Sequence, residues 1–285
     1  MPELLGSLAS LCFAFSNVLN RRGLVNSNAM TASMFSFCMS AVALWALVPV
    51  FVSLSSFRSP AVFYYLAAGV FAPGLGRYFN FMGMERVGMA RAIPITNTYP
   101  MVASVLAVLV LGEVWTLQNF IGTSFVILGI VILSMQGTGP GTWRKIDLIF
   151  PILAALSFGV ASNLRKFGLL ITDLPIMGAA LTSTTGLLSG IVMLQMAGGR
   201  KAISLTRESS GWFFAAGVAN TAAMLAVFYG LSFGKVVIVE PLVGANPVLA
   251  LFLSIIFLKD IEKITVRVIT GAGCTVFGSI LVVTA

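Results

Sequence analysis

The 285-residue chain has no histidine, and only 9% of its residues are charged. Soluble domains carry about 25% charge, so there is too little polar surface here to face water. Without histidine there can be no Ser/His nucleophile pair, and the commonest metal ligand is missing. Paired carboxylates and a glycine-rich phosphate loop are also absent. Cysteine is scarce: Cys12, Cys38 and Cys274 are odd in number and lack CxxC spacing. Each falls in an apolar stretch, which argues for small buried side chains rather than a disulfide or metal cluster. No enzyme activity, cofactor or metal site is expected. The net charge of +8 would raise nucleic acid as a partner of a soluble protein. The basic residues are instead spread among loops between apolar runs, the usual pattern beside a membrane.

Apolar residues make up 58% of the chain and mean hydropathy is +1.01. In lipid, backbone groups must be satisfied internally, which leaves helices or a closed barrel. Barrel strands are ~10 residues of alternating polarity, whereas a spanning helix needs ~20 mostly apolar residues. The second pattern recurs, and predicts an all-α membrane protein of ten spans: Glu3–Asn20, Met30–Val52, Ser59–Met82, Gly88–Leu111, Thr116–Ser134, Ile146–Lys166, Pro175–Ala197, Gly211–Leu231, Val236–Leu258 and Ile264–Val283. The longest connections, QGTGPGTWRK (136–145) and GGRKAISLTRESS (198–210), leave no room for a soluble domain. The first run has no basic lead-in and no A-x-A pattern, so it reads as a retained span rather than a signal peptide.

The sequence is written twice. FAFSNVLNRRGL (13–24) aligns with FGVASNLRKFGL (158–169), and IPITNTYP (93–100) with EPLVGANP (240–247). Pro94 and Pro100 fall on Pro241 and Pro247, Glu113 on Asp260, Gly122 on Gly271 and Gly129 on Gly278, at offsets drifting from 145 to 149. Residues 1–136 and 146–285 thus form two five-span units joined by a linker, 137–145. An odd number of spans per unit forces the second into the membrane from the opposite side. Such an inverted repeat favours a secondary transporter over a channel, with a substrate site near the midplane between the repeats. The paired prolines break helices at matched positions. They either line that cavity as hinges or shape two bent packing helices.

These features resemble the drug/metabolite transporter superfamily, in particular its EamA-like ten-helix transporters. The resemblance rests on the two halves, the proline-bearing fourth helix of each, and the closing Leu111-Gly112-Glu113 and Leu258-Lys259-Asp260; the second motif departs from the usual glycine–glutamate ending. It implies a metabolite transporter with a central cavity and leaves the substrate open.

Helical spacing places polar residues on faces that could line the cavity. Ser10, Phe13, Asn17 and Asn20 form one stripe, matched by Ala155, Phe158, Ser162 and Arg165. Pro73, Arg77 and Asn80 form another, matched by Asn220, Met224 and Val227. Ile93, Asn97 and Pro100 are matched by Glu240, Gly244 and Pro247, with Tyr99 and Asn246 adjoining. The expected substrate-binding set is Phe13, Asn17, Asn20, Arg77, Asn97, Tyr99, Phe158, Ser162, Asn220, Glu240 and Asn246. The asparagines could instead be interhelical glue. Spans 2, 5, 7 and 10 are expected to contribute less, and the hydroxyls of residues 182–185 can bond back to their own helix. The glycines of spans 5 and 10 are read as permitting close helix packing.

A charge in mid-span costs about 2.5–3.5 kcal/mol on insertion scales and is usually functional. Arg77 and Glu240 are the clear cases, whereas Arg91, Arg165 and Lys235 lie near span ends and can snorkel. Glu240 could bind a substrate cation, couple protons or pair with Arg77. One cation and one anion suit an amino acid or similar zwitterion, moved by a gradient-driven secondary transporter, with export the expected direction; an organic cation or drug-like amine is the alternative. The other expected partners are membrane lipid and at most a weak second copy, in the plasma (inner) membrane. Loops 1–2, 3–4, 5–6, 7–8 and 9–10 hold twelve basic residues against four on the other side. That places both termini outside, whereas the resemblance implies cytoplasmic termini.

Overall fold

The computed structural model describes residues 1–87, 92, 95–134, 144–257 and 266–284, and among these every regular element is helical. Helix α1 (Pro2–Gly23) opens on a proline, whose missing N–H is no loss in a first turn, and closes on Arg21 and Arg22, where cations suit the helix dipole. Helix α2 (Ala29–Phe51) starts at Asn28, whose side-chain oxygen accepts the Thr31 N–H at 2.9 Å. Helix α3 (Ala61–Gly69) passes through a π-helical stretch, Val70–Gly76, into α4 (Arg77–Val87). Pro73 lies inside that stretch and supplies no N–H, so the regular ladder cannot pass through it. The third predicted span is therefore not one straight helix. Helix α5 (Tyr99–Leu106) runs into a second π stretch, Ala107–Leu111, and α6 (Leu117–Ser134) follows.

Beyond the linker come α7 (Ile149–Ile171), α8 (Pro175–Met196) and α9 (Arg207–Phe233). The Thr206 hydroxyl caps α9 by accepting the Ser209 N–H at 3.1 Å. Helices α10 (Val236–Gly244) and α11 (Asn246–Phe257) are separated by a break at Ala245, and α12 (Val266–Val283) is last. Helices α1, α2, α7, α8 and α9 are each long and apolar enough to cross a membrane; the other apolar helices among the described residues are shorter. Large apolar side chains such as Leu4, Val42, Phe63 and Leu109 point outward at 70–76% exposure, as lipid solvation permits.

Hydrogen bonds gather the loops at two ends. At one end Asn26 donates to Glu208 at 2.6 Å, Ser27 to the Ser204 carbonyl at 2.5 Å and Asn28 to the Ala202 carbonyl at 2.9 Å. At the other, Ser59 meets the Thr172 hydroxyl at 2.5 Å and Tyr65 donates to the Thr172 carbonyl at 2.9 Å. Continuous α2 and α8 join the two ends. The larger apolar cluster, with Leu44, Tyr65, Met177, Phe228, Leu231 and Val236, lies toward the Thr172 end. A smaller one, Met34, Phe37 and Leu194, lies toward the Asn28 end.

Helices α6 and α12 form a glycine seam. A Cβ on Gly122 would lie 2.8 Å from the Gly278 carbonyl, and one on Gly278 would lie 2.5 Å from the Gly122 carbonyl. Gly129 packs in the same way on Thr275 and the Gly271 carbonyl. The glycines of spans 5 and 10 thus join the two halves of one chain. The cysteines are unpaired but not buried as expected: Cys38 is exposed and Cys12 and Cys274 are half-buried. Thiols face outward because lipid accepts a small weakly polar group as readily as a core does.

Candidate functional site

A cavity of about 370 Å³ lies between the halves, with walls from α1, α2, the Val70–Gly76 stretch, α4, α5 and α7 to α11. Both helix breaks open onto it. In the second half the chain turns at Ala245 between α10 and α11; in the first it turns at Asn97 and Thr98 before α5. Pro100 and Pro247 each take the second position of the helix that restarts there, and Pro241 lies inside α10. Pro94 lies outside the described residues.

Of the expected set, Phe13, Asn17, Arg77, Asn97, Tyr99, Phe158, Ser162, Asn220, Glu240 and Asn246 all line this cavity. Asn17 donates to the Asn246 side-chain oxygen at 3.3 Å, tying α1 to the break in the second half. Asn220 donates to Ser40 at 3.1 Å, and Ser40 shares a 3.0 Å hydrogen bond with Thr221. That asparagine is both cavity wall and interhelical glue. Tyr99 and Phe158 meet edge to face, with centroids 6.0 Å apart. Ser162 donates back to the Phe158 carbonyl at 3.2 Å. Asn20 is the correction: it lies beyond the wall near the end of α1 and donates weakly, at 3.5 Å, to Ser16 one turn back.

Spacing alone passed over several wall residues. Phe37 and Ser40 come from α2, and Thr182, Ser183 and Gly186 from α8, so spans 2 and 7 contribute more than expected. Among the described residues spans 5 and 10 contribute nothing to the cavity. Ser183, Thr184 and Thr185 do bond back to their own helix, while Thr182 reaches the Tyr65 carbonyl at 3.1 Å. Thr96 donates to Asn80 at 3.0 Å and joins the first break to α4.

Of the three roles open to Glu240, the ion pair with Arg77 is not formed. The Arg77 guanidinium carbon lies 4.5 Å from the centre of the Phe37 ring. Among the described residues no ion pair joins it to Glu240. Glu240 is 2% exposed, and one of its oxygens has no hydrogen-bond partner. Its electrostatic neighbour is Arg165, whose guanidinium lies 5.7 Å from the centre of the Phe228 ring and whose Nε is buried without a partner. Arg165 therefore does not snorkel; it lines the cavity. Its place seven residues after Phe158 and three after Ser162 already put it on that face. Lys235 does lie exposed, at the start of α10. Arg91 lies outside the described residues.

The EamA-like transporter family model matches residues 1–135 and 145–284. The chain belongs to that family. It is also similar to an uncharacterized transporter of Archaeoglobus fulgidus, 25% identical, with the match covering 95% of this chain and 94% of the relative. A solved crystal structure of a protein shares the fold at a TM-score of 0.81, with 17% identity over 99% of this chain and 98% of the other. This EamA-like protein is thus a membrane transporter, and its buried charges line the cavity between the two matched segments. Glu113 of the Leu111-Gly112-Glu113 motif is among the described residues, while Lys259 and Asp260 lie outside them.

Proposed function

We propose that the chain is a ten-span secondary transporter, built as two inverted five-helix repeats, that moves a small organic metabolite by alternating access. The inversion is supported by the loop contacts. The loop before α2 and the loop after α8 meet at one end, whereas the loops after α2 and before α8 meet at the other. Loop 1–2 and its repeat partner, loop 6–7, thus lie at opposite ends, which inversion requires. The breaks at residues 97–98 and 245 act as hinges and leave irregular backbone where it faces a cavity rather than lipid.

The substrate is an amino acid or similar zwitterion, exported across the inner membrane by a monomer or weak homodimer. The observation that carries this reading is the one cavity that holds guanidinium groups and the Glu240 carboxylate without an Arg77–Glu240 ion pair to cancel them. A guanidinium suits a carboxylate, and a carboxylate suits an ammonium. Glu240 is also the group positioned to couple transport to protons, since it is a buried carboxylate in the cavity wall and one of its oxygens has no hydrogen-bond partner.

The test is counterflow in proteoliposomes, with competition by a neutral amino acid, its methyl ester and the corresponding amine. The zwitterion reading expects the amino acid alone to compete. Phe13, Tyr99 and Phe158 give the walls enough aromatic surface to hold an organic cation through ring faces. Equal competition by the amine replaces the zwitterion with that cation.

A further inference from the structure

Among the described residues the cavity's charges do not balance. Arg77 and Arg165 bring two guanidinium groups, which stay protonated in proteins, and Glu240 brings one carboxylate. Away from bulk water an uncancelled charge is costly, so a ligand of net charge −1 is favoured over a neutral one.

The three groups also divide into two poles. Glu240 and Arg165 act on each other electrostatically, and each keeps an unpartnered buried atom: an acceptor oxygen on Glu240 and the Nε donor on Arg165. A free acceptor and a free donor at one pole match the ammonium and carboxylate of an α-amino acid. Among the described residues Arg77 forms no ion pair with Glu240. It lies against the Phe37 ring instead, and stacking on a ring face leaves the in-plane N–H edges free for a bidentate acceptor. Resting on the zwitterion reading above, we infer that the preferred substrate is an α-amino acid with a second carboxylate on its side chain. Its backbone groups engage Arg165 and Glu240, and its side-chain carboxylate engages Arg77.

Equilibrium binding to the purified full chain tests this with L-glutamate, L-aspartate, their amides L-glutamine and L-asparagine, and glutarate, which lacks the ammonium. An acidic amino acid is expected to bind about tenfold or more tightly than its amide, since only the acid offers a charge-assisted pair to Arg77. Glutarate is expected to bind more weakly than glutamate. Arg77→Gln is expected to bring the glutamate-to-glutamine ratio close to one. Amides that bind as tightly as the acids, or an undiminished acid preference in Arg77→Gln, overturn the inference and leave the zwitterion reading standing. Glutarate that binds as tightly as glutamate overturns the backbone pole. If no amino acid binds while a simple amine does, the zwitterion reading fails and this inference fails with it.

Discussion

The Glu113 carboxylate lies across the start of α10, its two oxygens accepting the Val236 N–H at 2.9 Å and the Val237 N–H at 3.1 Å. A residue of the first repeat thereby caps a helix of the second. The opposite side of the same corner is held by Lys166, whose ammonium donates to the carbonyls of Leu231 and Gly234, both at 2.7 Å. Each charge suits the helix end it meets, an anion at an N-terminus and a cation at a C-terminus. Ser232 adds a 2.5 Å hydrogen bond to Asp173. The corner between α9 and α10, about one helical turn before Glu240, is therefore held by both groups.

Removing the cap should destabilise the fold. Glu113→Ala leaves two backbone N–H groups without their acceptor, at about 1–3 kcal/mol for a buried donor left unpaired. Thermal unfolding in detergent is expected to shift down by about 2–4 °C for each kcal/mol lost. Glu113→Gln keeps one acceptor oxygen and should fall between the two. An alanine variant that unfolds at the wild-type temperature would show that the cap contributes nothing to stability.

The glycine seam makes an opposite pair of expectations on one helix. On α12, a Cβ at Gly278 would lie 2.5 Å from the Gly122 carbonyl and 2.6 Å from the Val126 nitrogen, whereas one at Gly273 meets nothing within 4 Å. Gly278→Ala must push α6 and α12 apart, and overpacking of this kind costs about 1–3 kcal/mol. Gly273→Ala removes backbone freedom from the unfolded chain without a clash and should be neutral or stabilising by up to ~1 kcal/mol. The comparison is read as the difference in melting temperature between the two variants. Equal melting temperatures would mean that the seam yields without cost.

The strongly patterned parts of this architecture could be read from residues alone. Pro94, Pro100, Pro241 and Pro247 marked the repeat, and period-3.6 polar stripes put Asn17, Arg77, Ser162 and Glu240 on one face each before any three-dimensional contact was known. Three things were not legible. Ser40 and Thr182 carry no periodic signal, since a lone hydroxyl in an apolar helix looks the same whether it meets a cavity or a carbonyl. Arg165 lay on the right stripe, but proximity to a helix end argued for snorkelling, and only packing against Phe228 decides between the two. Whether Glu240 pairs with Arg77, one of its three open roles, could not be read from sequence, because opposite charges on neighbouring helices say nothing of how those helices turn. Arg77 lies over Phe37, and Glu240 and Arg165 are both in the cavity wall within electrostatic reach of each other.

Pro241 offers a test of the hinge. Inside α10 it removes one backbone hydrogen bond just before the break at Ala245. Pro241→Ala is expected to slow counterflow in proteoliposomes severalfold while leaving the melting temperature near that of the wild type, since a restored hydrogen bond favours the straight helix. Normal flux with this variant would make the proline a packing feature. Flux and melting temperature that fall together would point to the same conclusion.

Sided labelling tests both the inversion and its orientation. In a cysteine-free background, single cysteines replace Ser27 and Ser204 at one end, and Ser55 and Asp173 at the other. Ser27 and Ser204 touch through a 2.5 Å hydrogen bond, so they must lie on the same side of the membrane. The first repeat's loop 1–2 and the second repeat's loop 6–7 carry Ser27 and Asp173, so inversion requires that these two label from opposite sides. Labelling of Ser27 and Asp173 from one side would remove the inverted repeat. Orientation is read from the same four variants. In the sequence, loop 1–2 with Ser27 and the four loops assigned to its side carry twelve basic residues against four on the other side. Positive charge is retained in the cytoplasm, so a membrane-impermeant maleimide added outside intact cells should label Ser55→Cys and Asp173→Cys and spare the other two. The reverse pattern would place the termini in the cytoplasm. It would leave the repeat intact and show that the charge difference does not set the direction of insertion.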